Sequence, residues 1–365
     1  MTVKATAPDP HNRILIIRLS NFIGDVVVMT PVVSALRQRY PNAHIAVLAD
    51  MPGAEVLRGH PDINELIVYR QTGRYHQKVR GHLSEHLAVW NAVRRGNFDL
   101  AINLHPSERG AIAARLSGAS VRVGFTRPPY NDFVYRLFYN QLVRIDTVGR
   151  NASDQILDTV RAIGVPVNSI QASLGITKEE TLQAQSLLAE LKRPLLGIHT
   201  GSGGFHKSWT ARGWTGLLNK LHQRYGGSVV ILGSGTESEF IRDIQRTLDF
   251  PAMDLTGELG LKQTAAVVKE TDVIIAVDSA LLHIAAAVGC PTVALFGPTD
   301  DARWNPAGED HIVVRSGHPD CGNPGCCTSL PSACMQQIQP ADVLLAVEKL
   351  CPQMAFTQDN ARSQL

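Results

Sequence analysis

Four residues in this chain combine a reactive side chain with a setting that can use it: Asp25, Lys207, Asp278 and His283. Asp278 and Ser279 follow an apolar run, 273–277, and both are good N-cap residues for a small apolar helix over 280–288. A helix that starts at a strand end presents bare backbone N–H groups and the positive end of its dipole, which is anion-binding chemistry. His283, one turn in, is placed to reach the same anion; the alternative is an ordinary helix start with a core histidine. Lys207 ends a loop over 200–208, Thr-Gly-Ser-Gly-Gly-Phe-His-Lys-Ser, after a strand over 195–199. The loop approaches the phosphate-cradling G-x-x-x-x-G-K-[ST] pattern, but His206 stands at the second glycine, so a kinase or NTPase reading is weak. Its glycines and lysine still suit a phosphate, against the plainer reading of a flexible surface loop. Asp25 lies in the loop after the first strand, where a carboxylate can take a proton from an attacking hydroxyl or merely cap the next helix.

Around these residues, apolar runs with β-branched residues alternate with helical periodicity. Strands are expected over 13–19, 44–48, 63–69, 99–104 and 121–125, then over 195–199, 228–232, 273–277 and 292–296. Helices are expected over 26–40, 83–95, 151–164, 177–191, 214–225, 237–248, 261–269, 280–288 and 340–350. Pro31 is awkward within 26–40, where it either kinks the helix or delays its start. Thr177 with Glu180 three residues on reads as a capping box. Gly289 and Pro291 end the helix of 280–288. Such alternation implies doubly wound parallel sheets, with ligands beyond the carboxyl ends of the strands.

At 365 residues two domains are expected, joined near 165–176. Hydrophobic residues make up 44% and charged residues 19%, the balance of a soluble globular protein, and a net charge of +2 argues for no nucleic-acid partner. No apolar run approaches the roughly 18 residues of a membrane span. Pro8, Asp9 and Pro10 interrupt the start of the chain, which lacks the apolar core of a signal peptide, so a cytoplasmic location is expected. A Gly233-Ser-Gly235 turn lacks the third glycine of a dinucleotide fingerprint, and a nicotinamide dehydrogenase is the weakest reading. The stretch 70–80 carries Arg70, Arg74, Lys78 and Arg80 and no acidic residue. It is either a solvated loop or a site for an anionic acceptor, with Arg127, Arg136 and Arg144 around an aromatic loop, 125–139, as another wall. Cys321, Cys326, Cys327 and Cys334 are spaced C-x4-C-C-x6-C, which is not a zinc-ribbon pair. Reduced thiols in a covering loop are expected there ahead of a metal.

Taken together, Arg18-Leu-Ser-Asn21-Phe-Ile-Gly24-Asp25 with Thr30-Pro31, His199-Thr200-Gly201-Ser202 with Lys207-Ser-Trp209, Asp278-Ser279-Ala280-Leu-Leu-His283, and Phe296-Gly297-Pro-Thr299 resemble glycosyltransferase family 9, the ADP-heptose:lipopolysaccharide heptosyltransferases. The resemblance spans both halves in the family's order. It implies a GT-B fold of two Rossmann-like α/β domains facing each other across a cleft: an acceptor domain over 12–170, a nucleotide-sugar domain over 177–340, and a C-terminal helix and tail over 341–365. By the same resemblance Asp25 is the catalytic base, and Lys207 contacts the donor diphosphate. Thr200, Gly201, Ser202, Asp278, Ser279, Ala280, His283 and Gly297 hold the donor, while Arg18, Asn21 and Gly24 join the basic stretch on the acceptor side. Ala280 stands where glycine is commonest in the family, placing a methyl group near the ligand.

The activity so implied is inverting, metal-independent transfer of heptose from ADP-L-glycero-β-D-manno-heptose to a lipopolysaccharide inner-core acceptor. The acceptor would be an anionic lipid-linked saccharide met peripherally at the cytoplasmic face of the inner membrane. No cofactor is expected, and no paired DxD carboxylates are present. The alternatives are the same fold with another nucleotide sugar or a protein acceptor, and a non-catalytic nucleotide-sugar-binding module, which would need no base.

Overall fold

The structure is a computed structural model that describes residues 11–70, 83–126, 132–317 and 333–352. The chain divides into two compact units, 1–175 and 176–365.

In the first unit β1 (Arg13–Arg18) leads into two short helices, α1 (Ile23–Val27) and α2 (Thr30–Arg39). They are followed by β2 (His44–Asp50), α3 (Met51–Leu57), β3 (Glu65–Tyr69), α4 (Leu83–Arg95), β4 (Leu100–Asn103), α5 (Glu108–Leu116), β5 (Val121–Thr126), α6 (Asp132–Tyr135), β6 (Gln141–Arg144) and α7 (Ala152–Arg161). The six strands pair in parallel in the order β3-β2-β1-β4-β5-β6. Ile14 to Ile17 in the middle of the sheet are fully buried, as the β-branched run requires of a strand covered on both faces.

One helix expected over 26–40 is two. It starts earlier, at Ile23, breaks at 28–29, and restarts with Pro31 in the first turn of α2, where a missing N–H leaves no helical bond unmade. Pro31 therefore delays a start. It does not kink a continuous helix.

The second unit opens on α8 (Lys178–Leu188), whose Thr177–Glu180 capping box is formed in both directions. Then come β7 (Leu195–His199), α9 (Ala211–Tyr225), β8 (Ser228–Leu232), α10 (Ser238–Gln245), β9 (Met253–Asp254), α11 (Leu261–Glu270), β10 (Val273–Val277), α12 (Ala280–Ala287), β11 (Thr292–Phe296), α13 (Asp301–Trp304), β12 (His311–Arg315), α14 (Ala333–Gln337) and α15 (Pro340–Leu350). This sheet is also parallel, in the order β12-β11-β10-β7-β8-β9. Its core packs Trp209 edge-on against Trp214, ring centroids 5.2 Å apart, with the apolar faces of α9, α10 and α15. Gly289 takes φ +75° and stops α12, a left-handed cap that favours glycine.

Both sheets reverse direction beside their first strand. The chain builds outward from β1 through β2 to β3 and then returns to place β4 on the other side of β1; β7 and β10 repeat this in the second unit. Loops leaving two such neighbours diverge to opposite faces, and a crevice opens at their carboxyl ends.

Candidate functional site

The crevice of the second unit lies between β7 and β10, and several of the expected donor residues gather there. Lys207 comes from the loop after β7, in a 3-10 turn over Phe205–Lys207. Its Nζ donates to Asp278 Oδ2 at 2.7 Å from the end of β10. Asp278 is 7% exposed, so the pair is largely shielded and the lysine head is fixed in place. Ser279 holds the N-cap position of α12, but its hydroxyl makes no capping bond.

Thr200 Oγ1, Ser279 Oγ and Thr299 Oγ1 are buried atoms with no hydrogen-bond partner among the described residues. They follow β7, β10 and β11, three neighbouring strands. Buried hydroxyls are nearly always paired, so three orphans along one sheet edge, beside an uncapped helix start and a lysine, describe a site built for an oxygen-rich anion.

Other expected donor residues are engaged elsewhere. Ser202 Oγ donates to the Gly204 carbonyl at 2.5 Å within its own loop. His283 is 6% exposed and its ring meets Trp304 edge-on, centroids 6.3 Å apart. Gly297 is needed for packing, since a Cβ there would fall 2.5 Å from Met335 Sδ in α14. Ala280 is the first residue of α12 and half-buried.

Sequence reasoning missed Glu237. A Cβ on Gly201 would lie 2.3 Å from Glu237 Oε1, and Ser234 Oγ donates to Glu237 Oε2 at 2.7 Å, so this carboxylate is held at the rim beside Gly201. An acidic residue after the second strand of a nucleotide-binding half was the available signal. His199, at the end of β7, contacts the Leu232 carbonyl through Nδ1 at 2.8 Å, and burial pushes its pKa below the usual histidine value.

In the first unit Asp25 sits at the β1–β4 crevice. It is the third residue of α1, not the residue before it, so it is not a cap. Ser20 Oγ donates to Asp25 Oδ2 at 2.8 Å, and Arg18 Nη2 lies 3.2 Å from the same oxygen. Arg18, expected on the acceptor, is 5% exposed and committed within the protein: Nη1 donates to the Leu104 carbonyl at the end of β4. A guanidinium so buried stays where its partners are, and here it orients Asp25. Gly24 takes ordinary helical backbone inside α1, with no positive φ. Asn21 and Arg70 are exposed, as are Arg136 and Arg144. Arg74, Lys78, Arg80 and Arg127 lie outside the described residues.

Cys321, Cys326 and Cys327 lie outside the described residues too, whereas Cys334 is buried in α14. Among the described residues no three His, Cys, Asp or Glu side chains are grouped to hold a metal ion.

The sequence pattern of glycosyltransferase family 9 (heptosyltransferase) matches residues 86–324. A lipopolysaccharide heptosyltransferase 3 of Escherichia coli is 27% identical over 338 residues, 91% of this chain and 97% of its own length. Among solved structures, a family 9 glycosyl transferase from Veillonella parvula is similar with a TM-score of 0.79 and 25% identity, over 94% of this chain and 97% of its own. The Escherichia coli ADP-heptose lipopolysaccharide heptosyltransferase II shares the fold, with a TM-score of 0.76 and 22% identity over 93% of this chain and 99% of its own. The two parallel Rossmann-like sheets are thus those of the GT-B class. This chain belongs to glycosyltransferase family 9, the heptosyltransferase family, and is a glycosyltransferase.

Proposed function

We propose that this enzyme transfers heptose from ADP-heptose to an inner-core saccharide of lipopolysaccharide, with inversion at the anomeric carbon. The observation that carries the donor half is the Lys207–Asp278 pair beside the orphan hydroxyls of Thr200, Ser279 and Thr299. A diphosphate gives each of these donors an acceptor, and the amides at the start of α12 add more. Asp278 uses its carboxylate to aim Lys207, which leaves two ammonium protons for the phosphate oxygens. Glu237, at the rim, accepts from the ribose hydroxyls.

In this reading Asp25 is the general base. As the acceptor oxygen bonds to the anomeric carbon, its proton passes to the Asp25 carboxylate, and the bond from that carbon to the β-phosphate oxygen breaks. The leaving ADP takes the electron pair, and Lys207 with the hydroxyl and amide donors stabilises the charge that develops on it. Those groups supply the stabilisation a divalent ion gives elsewhere, so transfer proceeds without added metal. Ser20 and Arg18 fix the Asp25 carboxylate in direction.

The heptose, the ADP and the lipopolysaccharide acceptor are carried over from the names of the relatives. No helix among the described residues is long and apolar enough to cross a membrane. The enzyme in this reading works from the cytoplasmic side and meets its lipid-linked acceptor peripherally.

The test is to mix the protein with ADP-heptose and deacylated inner-core oligosaccharide in EDTA, following ADP release and product mass. A product heavier by one heptose, with inverted anomeric configuration, is the expected result. ADP-heptose left intact while another nucleotide sugar or a protein acceptor is used would overturn it.

A further inference from the structure

Asp50, at the end of β2, is 1% exposed, yet neither carboxylate oxygen has a hydrogen-bond donor among the described residues. The cation beside it is Arg109 of α5, whose Nη1 stops 3.8 Å from Oδ1, within ion-pair range but beyond hydrogen-bond reach. That same buried nitrogen has no acceptor among the described residues. The guanidinium carbon lies 5.3 Å over the centroid of the Tyr69 ring, at the end of β3. The Tyr69 hydroxyl in turn pairs with His86 Nδ1 of α4 at 2.5 Å.

A purely structural ion pair would close these bonds, because desolvating two charges is offset only when their hydrogen bonds are made. Here they stand open, and the Arg109 side chain is still 33% exposed. The position is telling as well. Arg109 follows β4, but its partners end β2 and β3, so in the order β3-β2-β1-β4 the side chain extends along the carboxyl edge past β1, the strand that delivers Asp25. α3, which begins at Met51, packs beside Asp25's own helix, with Gly53 giving room to Val26. Asp50 lies beside the guanidinium and Tyr69 supports one face of it, while the side chain as a whole remains partly exposed. Burial raises the Asp50 carboxyl above its ordinary range while Arg109 opposes the rise.

We propose that Arg109 is an anion anchor of the first unit, gripping a phosphate or carboxylate group of the saccharide acceptor, with Asp50 and Tyr69 as its positioning residues. This rests on reading the first unit as the acceptor side. The planar fork matches either anion, and a lysine would not replace it.

Titration calorimetry with deacylated inner-core oligosaccharide, which carries both phosphates and sugar carboxylates, tests the anchor. Arg109→Ala should weaken binding about 10- to 100-fold, the value of a charge-assisted bidentate contact, while ADP affinity stays within about twofold. Asp50→Asn should raise the acceptor KM with little change in kcat, a split that general loosening of the fold would not produce. Arg109→Lys keeps charge and packing without the fork and covers the case of an unfolded alanine variant; a several-fold loss is expected, and none overturns the proposal. Phosphatase treatment of the oligosaccharide separates the two anions: the gap between wild type and Arg109→Ala closes if the anchor holds phosphate and persists if it holds carboxylate. Equal binding by wild type and Arg109→Ala, or no binding by wild type, overturns the anchor. Heptose transfer assayed in parallel keeps the two ideas apart. A binding gap without turnover sinks the functional reading alone, and turnover without a gap sinks the anchor alone.

Discussion

Lys207 and Asp278, 71 residues apart in the chain, meet at 2.7 Å across the point where the second sheet reverses direction. One comes from the loop after β7 and the other from the end of β10, so the pair ties together the two sides of the crevice. Lys207→Ala should lower kcat on the order of 10²-fold, as loss of a donor to a developing oxyanion does. Asp278→Asn keeps the lysine but frees its head, and a smaller loss is expected. Initial rates of ADP release measure both; a loss confined to the acceptor KM would contradict the assignment.

Asp25→Asn should lower kcat about 10²–10⁴-fold, the usual worth of positioned base catalysis, with ADP affinity unchanged. Ser20→Ala removes one of the two contacts that orient the carboxylate and should give an intermediate value. Single-turnover rates at saturating donor and acceptor separate these from binding effects, and near-normal turnover of Asp25→Asn would remove it as the base.

The orphan hydroxyls make a prediction of opposite sign for stability and binding. Thr200→Val and Ser279→Ala each delete a buried group without a partner among the described residues, so thermal stability without ligand should hold or rise slightly. Each should also weaken ADP binding by about 0.5–1.5 kcal/mol. Thermal unfolding with and without ADP reads both effects, since stabilisation follows RT ln(1 + [L]/Kd). Loss of stability in the absence of ADP would mean the hydroxyls are packing groups.

Gly201→Ala puts a methyl carbon 2.3 Å from Glu237 Oε1. The glutamate is the far end of a flexible side chain, so the fold should survive with the carboxylate displaced. Glu237→Gln and Gly201→Ala should then weaken ADP binding to similar extents and should not add when combined. Additive losses would place the two residues in separate parts of the site.

His199 gives the stability a pH dependence. Its folded pKa lies below the ordinary value of 6.5 because burial opposes the charged ring. The unfolded chain therefore takes up a proton first as pH falls, and this contribution to stability, present above about 6.5, is lost toward the lower folded value. His311, also pushed down by burial, acts in the same direction. Melting temperatures at pH 7.5 and 5.5 should differ less in His199→Gln than in the wild type.

Most of the elements were legible from local pattern. The strands over Leu195–His199, Val273–Val277 and Thr292–Phe296 have the expected boundaries, because short, largely apolar runs between turn residues allow little else. α4 and α15 likewise fall where periodicity puts them. Short elements were missed: α3 begins directly after β2 with Pro52 in its first turn, so no turn signal separates the two. β12 escaped because its apolar run, Ile312 to Val314, is only three residues long between His311 and Arg315.

By itself the sequence determined the two-sheet α/β organisation, the candidate residues Asp25, Lys207 and Asp278, and the family. These follow from side-chain type and spacing over a few residues. Only the tertiary structure decided what each charge is committed to: Arg18 to Asp25 and the Leu104 carbonyl, Lys207 to Asp278, Arg109 to Asp50 and the Tyr69 ring. Those pairings depend on which strands become neighbours, and strand order is set by packing of the whole sheet, which no local spacing records.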